Sequence, residues 1–173
     1  MANRTLGVVV VLVGLVACEP SDRTATPSPT TPAAPATGRT ISDDARATMK
    51  GILAGEVMGK KAWILSQPRD AEVAALVSSL EAVFKEAGWE VSAEVVSGIS
   101  LKAGIMTLAA EEQYPSYVDA VVKALDGSGL DAKSASGYRG YFEAKKKENP
   151  SWPGIPLRPD QDFVIVVGPK PAA

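Results

Sequence analysis

Apolar residues recur along this chain with two periods, and the places where one period gives way to the other mark its elements. Ala62 to Leu65 is an unbroken apolar run that stops at Ser66-Gln67-Pro68, where proline prevents a strand from continuing. Asp70 then suits a helix N-cap and Glu72 the positive first turn. Val73, Leu76, Val77, Leu80, Val83, Phe84 and Ala87 follow at helical spacing, giving one apolar stripe. Lys85 fits the last turn, Gly88 the left-handed terminator, and Trp89 and Val91 open a second strand. A strand returning through a helix of this length predicts a parallel, right-handed crossover.

The same reading extends in both directions. Ser42-Asp43-Asp44 predicts a helix start, with Ala45, Met49, Ile52, Leu53 and Val57 at helical spacing and a helix from about Asp43 to Gly55, weakened by Gly51. Ile105 to Leu108 reads as a strand, and Tyr114-Pro115-Ser116 opens a helix with proline in its first position. Tyr117, Val118, Val121, Val122 and Leu125 form its buried face, Gly127 or Gly129 ends it, and a short strand is expected within Leu130 to Ala135. With an offset of 41 residues Ile64 falls on Ile105, Val77 on Val118, Leu80 on Val121, Phe84 on Leu125 and Gly88 on Gly129. Identity between the halves is low, which favours two ordinary strand–helix units over a recorded duplication. Tyr138 to Pro159 holds four prolines and predicts a long loop with at most one helical turn. Phe163 to Val167 is a continuous β-branched and aromatic run, as in a central strand covered on both faces. The expected fold is α/β: a helix-covered mixed, partly parallel sheet of four to five strands, with a two-layer βαββαβ arrangement as the alternative.

Composition narrows the chemistry. The chain of 173 residues has no His and one Cys, which leaves no His/Cys metal site, no Cys–His pair and no Ser–His–Asp triad. Removing a leader that contains Arg4 leaves 17 basic against 20 acidic residues, so nucleic acid is not an expected partner. We read no cofactor, no metal site and no catalytic residue. There is no nucleophile elbow around Ser66, no phosphate loop, and the neighbours Glu111 and Glu112 point to different sides of any regular element.

At the start of the chain, Leu6 to Val16 is apolar, too short to span a bilayer as a helix and suited to a signal-peptide core. It closes on Leu15-Val16-Ala17-Cys18, which resembles the lipobox of bacterial lipoproteins at all four positions. The resemblance implies cleavage after Ala17, a diacylglycerol on the Cys18 thiol, an acyl chain such as palmitate on its new amine, and anchoring in the bilayer of the cell envelope. Several acyl chains on one residue anchor stably, since each buried methylene contributes about 0.8 kcal/mol. The plainer alternative is a secreted protein with a chance Cys near the cut, but an unpaired thiol is a liability in an oxidising compartment. Residues 18–41, rich in Pro, Thr and Ala, read as a disordered tether, and residues 42–173 as a single domain. The units containing "AGWEV" and "YPSYVDAVVKALDGSGLDA", with the closing "DFVIVVGPKP", resemble a small α/β domain at the C-termini of bacterial membrane-associated proteins. That resemblance implies a fold and carries no activity.

Two candidate surfaces follow. Were the first and third strands parallel, the loops 66–70 and 111–114 would share a carboxyl edge where ligands of open α/β sheets bind. Ser66, Gln67, Arg69 and Glu111 are the ligand-binding candidates there; the plain reading is capping and solvated turns. The second surface mixes Tyr141 and Trp152 with Lys145, Lys146 and Lys147, as in a protein-contact site whose aromatics are buried and whose charges form a wet rim. Its plain reading is aromatics packed over the sheet beside solvated lysines. The expected function is a non-enzymatic protein-interaction module facing the periplasm or exterior, with small-ligand binding through the first surface as the alternative.

Replacing Cys18 with Ala should abolish incorporation of a clickable fatty acid and stop normal processing of the leader. Equal labelling of both proteins would sink the lipobox reading.

Overall fold

The computed structural model describes residues 38–57 and 60–172. The leader, Ala17, Cys18 and the tether up to residue 37 lie outside the described residues. Among the described residues nine elements follow in order: α1 (Asp43–Ala54), β1 (Lys61–Ser66), α2 (Ala71–Glu86), β2 (Glu90–Val95), β3 (Ile105–Ala109), α3 (Ser116–Asp126), β4 (Ala132–Ala135), α4 (Tyr138–Glu148) and β5 (Phe163–Val167). The strands form one mixed sheet in the order β2-β1-β5-β3-β4, an α/β fold of the class expected. The βαββαβ order of the alternative is contained in it, from β1 to β4, but a fifth strand is inserted at its centre.

Local chemistry accounts for the helix ends. Ser42 Oγ accepts from Ala45 N, and Asp70 Oδ1 accepts from Glu72 N and Val73 N, so both expected N-caps form. Gly88 takes the left-handed conformation after α2, and Gly129 does the same after α3. Pro115 sits one place earlier than expected, as the N-cap of α3 rather than its first residue.

β5 occupies the middle of the sheet. It pairs in parallel with β1, Ile64 opposite Ile165, and antiparallel with β3, Thr107 opposite Ile165. β1 pairs in parallel with β2, and β3 with β4, each through its own helical crossover. The two strand–helix–strand units therefore run in opposite senses on either side of β5, as two-fold symmetry about an axis normal to the sheet would place them. The 41-residue correspondence matches this arrangement: Val77, Leu80 and Phe84 of α2 and Val118, Val121 and Leu125 of α3 are all buried.

Alternation along the strands creates two cores. Ala62, Ile64, Ile105, Phe163, Ile165 and Val167 face α1, α2 and α3. Trp89 knits this layer together. Its indole Nε1 donates to Leu53 O at 3.0 Å, and its ring meets Phe84 edge-on at 5.5 Å and Phe163 at 6.5 Å. The opposite face presents Trp63, Leu65, Met106, Leu108, Val164 and Val166. Segments 96–104 and 149–162 and the helix α4 cover that side, and no residue of α4 is buried.

Two expectations need correction. Tyr138 to Pro159 is not a loop with one helical turn, because α4 fills its first eleven residues and all four prolines come after it. The domain also begins before Ser42. Arg39 is ion-paired with Glu72, its Nε and Nη2 each 2.8 Å from one carboxylate oxygen, while Nη2 donates to Gly168 O at 2.7 Å. With 9% of its side chain exposed, Arg39 is part of the folded unit.

The Arg39 hydrogen bonds hold the Glu72 carboxyl below its ordinary range, against the upward pull of burial. A carboxylate with a lowered folded-state pKa contributes stability that is complete above its unfolded value, about 4.3, and is lost as pH falls through the folded value. Glu72→Gln, which leaves Arg39 bound to Gly168, should lower the urea midpoint at neutral pH. The gap should close as pH falls below about 4, where the wild-type carboxyl is itself being neutralised. A gap that stays constant down to pH ~2, below the ordinary carboxylate range, would show that charge plays no part in the pair.

Candidate functional site: a groove on the second face of the sheet

Strand direction decides where the expected site residues fall. Because β3 runs opposite to β1, the loop after β1 and the loop after β3 emerge at opposite edges of the sheet. Roughly 15 Å, the length of a five-residue strand at about 3.3 Å per residue, separates them. Ser66, Gln67 and Arg69 therefore do not share a site with Glu111, and the carboxyl-edge ligand site fails for that reason. The three have local roles instead. Ser66 is buried at the strand end and its carbonyl accepts from Val96 N at 2.8 Å. Gln67 Nε2 donates to Ile99 O at 3.1 Å, and Arg69 occupies an exposed turn position with φ 68°.

Glu111 belongs to a different concavity. A groove of about 960 Å³ lies over β3 on the second face of the sheet, between the segment 99–104 and α4 with its following turn. Leu101, Met106, Leu108, Ile155 and Val166 form an aliphatic floor. Tyr138, Tyr141 and Trp152 form an aromatic wall. Ser100 and Lys102 stand at the end where β3 begins, and Glu111, Glu112 and Ser136 at the end where it finishes. The volume is that of a ligand or peptide site, and the lining combines apolar walls with a few polar groups. A second cavity of about 200 Å³, bounded by Thr107, Tyr114, Val118 and Ser134, lies between the sheet and α3.

The wall is built from ring contacts. Tyr141 meets Trp152 edge-on at 5.7 Å, Phe142 meets Trp152 at 5.9 Å, and Tyr138 sits 6.2 Å from Tyr141. Tyr138 is tied down because its hydroxyl accepts from Ile155 N at 3.0 Å, and burial raises its pKa. The outer rings stay open: Tyr141 is 52% exposed. The Trp152 ring sits against Gly154, where a Cβ would fall 1.9 Å from its Cζ3, so only glycine permits that ring position.

Arg139 fixes the acidic end. Its backbone N donates to Ala110 O at 2.9 Å, its Nε donates to Glu111 Oε1 at 2.8 Å, and its Nη2 reaches Gln161 O at 3.3 Å. Glu112 accepts from Ser136 Oγ at 3.1 Å and packs against Gly137, which precedes α4 in the left-handed conformation. A side chain at Gly137 would collide with that carboxylate, 2.2 Å from its Oε1.

Of the expected contact residues, Tyr141 and Trp152 line the groove and the lysines do not. Lys145 pairs with Glu148 at 2.7 Å, a contact that raises its pKa, and lies 5.9 Å from the Tyr141 ring centre. Lys146 donates to Pro150 O at 3.0 Å and lies 5.8 Å from Phe142, while Lys147 is exposed on the outside of α4. From sequence, Glu112 enters only as the neighbour of Glu111, and the floor residues have no place in a site. Their signal was the period-two alternation of Met106 with Leu108 and of Val164 with Val166, opposite the residues that face the helices.

Gly154→Ala, at a backbone conformation open to any residue, should push the Trp152 ring off its seat. Among the three indole N–H resonances only that of Trp152, assigned through Trp152→Phe, should shift substantially, with the melting temperature little changed. An unmoved Trp152 resonance would show that the ring does not rest on Gly154.

Compared with protein-family models, with curated proteins and with solved structures, the chain matches none.

Proposed function

We propose that this chain is a membrane-anchored lipoprotein of the cell envelope, acylated at Cys18, whose α/β domain is a non-enzymatic protein-interaction module. One observation carries the second half of the reading. An eleven-residue helix with no buried residue holds Tyr138, Tyr141 and Phe142, with Trp152 set against them, at the rim of an open apolar groove. Large rings left accessible beside a concave apolar floor are costly for a free surface and are the groups that dominate protein interfaces. The first half rests on the Leu15-Val16-Ala17-Cys18 motif. Small-ligand binding by the loops 66–70 and 111–114 loses its basis, because those loops lie at opposite edges.

The test is photo-crosslinking in intact cells, with a benzophenone amino acid at position 141 and, as a control, at Ala75 on the exposed side of α2. Position 141 should join the chain to a defined envelope polypeptide and position 75 should not. No adduct at 141, or the same adducts from both positions, overturns the interaction reading.

A further inference from the structure

We infer that the groove binds an extended peptide segment of about six residues, apolar in its middle, basic at one end and acidic at the other. The inference deepens the interaction-module reading and rests on it.

Length comes first. The groove follows β3 from Lys102–Gly104, before the strand, to Glu111–Glu112, after it. At about 3.4 Å per residue the interval from Gly104 to Ala110 is roughly 20 Å, which an extended segment of about six residues fills. The floor is a sheet face and not an edge, so it offers side-chain contacts in place of a hydrogen-bonding ladder. Leu101, Met106, Leu108, Ile155 and Val166 would take the side chains that point down, and Tyr141 and Trp152 those that point sideways.

Charge gives the segment its direction. At the far end of β3, Glu111 is already neutralised by Arg139 at 2.8 Å. Glu112 has a hydroxyl partner, Ser136, and no ion pair among the described residues. It is held at the groove mouth against Gly137. At the near end Lys102 is exposed and likewise unpaired among the described residues. An occupant is therefore steered with its cation toward Glu112 and its anion toward Lys102, at opposite ends of an interval of roughly 20 Å, longer than the Debye length of ~8 Å at physiological salt, so the two ends act independently.

The test uses the full-length chain in lipid nanodiscs and a displayed library of short randomised peptides. Recovered peptides should carry apolar residues between a basic and an acidic flank. A recovered peptide bearing a photo-reactive group beside its basic flank should crosslink to residues 110–113 or 136–137 and not to 99–104. In the doubly reversed protein, Lys102→Glu with Glu112→Lys, the crosslink should move to 99–104. Trp152→Ala should weaken binding roughly thirty-fold, as for a central hot spot, and Lys147→Glu, outside the groove, should change it little. Melting temperatures check that each variant is folded. Peptides recovered without a charge pattern, a crosslink that does not move, or equal binding by Trp152→Ala would overturn the inference. So would preferential filling of the groove by palmitate. A chain that binds no peptide yet still crosslinks through position 141 loses this inference and keeps the interaction module; a chain that does neither loses both.

Discussion

Everything in this domain depends on the double pairing of β5. Phe163 to Val167 are all buried, with Phe163, Ile165 and Val167 against the helices and Val164 and Val166 against the second core. The β1-α2-β2 unit and the β3-α3-β4 unit share no ladder with each other; within the sheet they are joined through this strand. A strand that is apolar on both faces and paired on both sides has little freedom, since shifting it by one residue would exchange the two cores. Because β5 accepts one neighbour in parallel and the other antiparallel, it also sets the direction of β3, and hence which loops meet.

That dependence explains how much could be read from sequence. The β1-α2-β2 unit was legible because its signals are local: Asp70 caps, a stripe from Val73 to Ala87 buries, and Gly88 stops. The class of sheet and the central place of Phe163–Val167 were legible for the same reason. The direction of β3 was not. Nothing between Ile105 and Ala109 records whether its partner runs with it or against it, and assuming a parallel neighbour put Glu111 on the wrong edge. The helix α4 was hidden differently. Tyr138, Tyr141 and Phe142 have helical spacing, but the prolines at 150, 153, 156 and 159 dominated the character of the whole segment.

The candidate site was half visible. Tyr141 and Trp152 drew attention through residue type, and they do stand at the groove. The floor could not be assigned, because Met106, Leu108 and Val166 look like any strand residues until the covering of each face is known. Three amphipathic helices cover one face of the sheet, and the opposite face has only an unburied helix and irregular segments. The groove is the consequence of that asymmetry. Gln67 takes part at a distance, since its bond to Ile99 O holds the segment that forms the basic end.

The position of β5 in the order of synthesis has a further consequence. It follows the other described strands in the chain, so the two halves of the sheet cannot be joined until it has been synthesised. Until then β1 and β3 each carry an open edge, and every contact that joins the halves is long-range, the kind that forms slowly. The sheet stays in two separate pieces until its central strand has been made. For a protein that must be threaded through a membrane before it folds, as the proposed localisation requires, that delay works as a timer written into the topology.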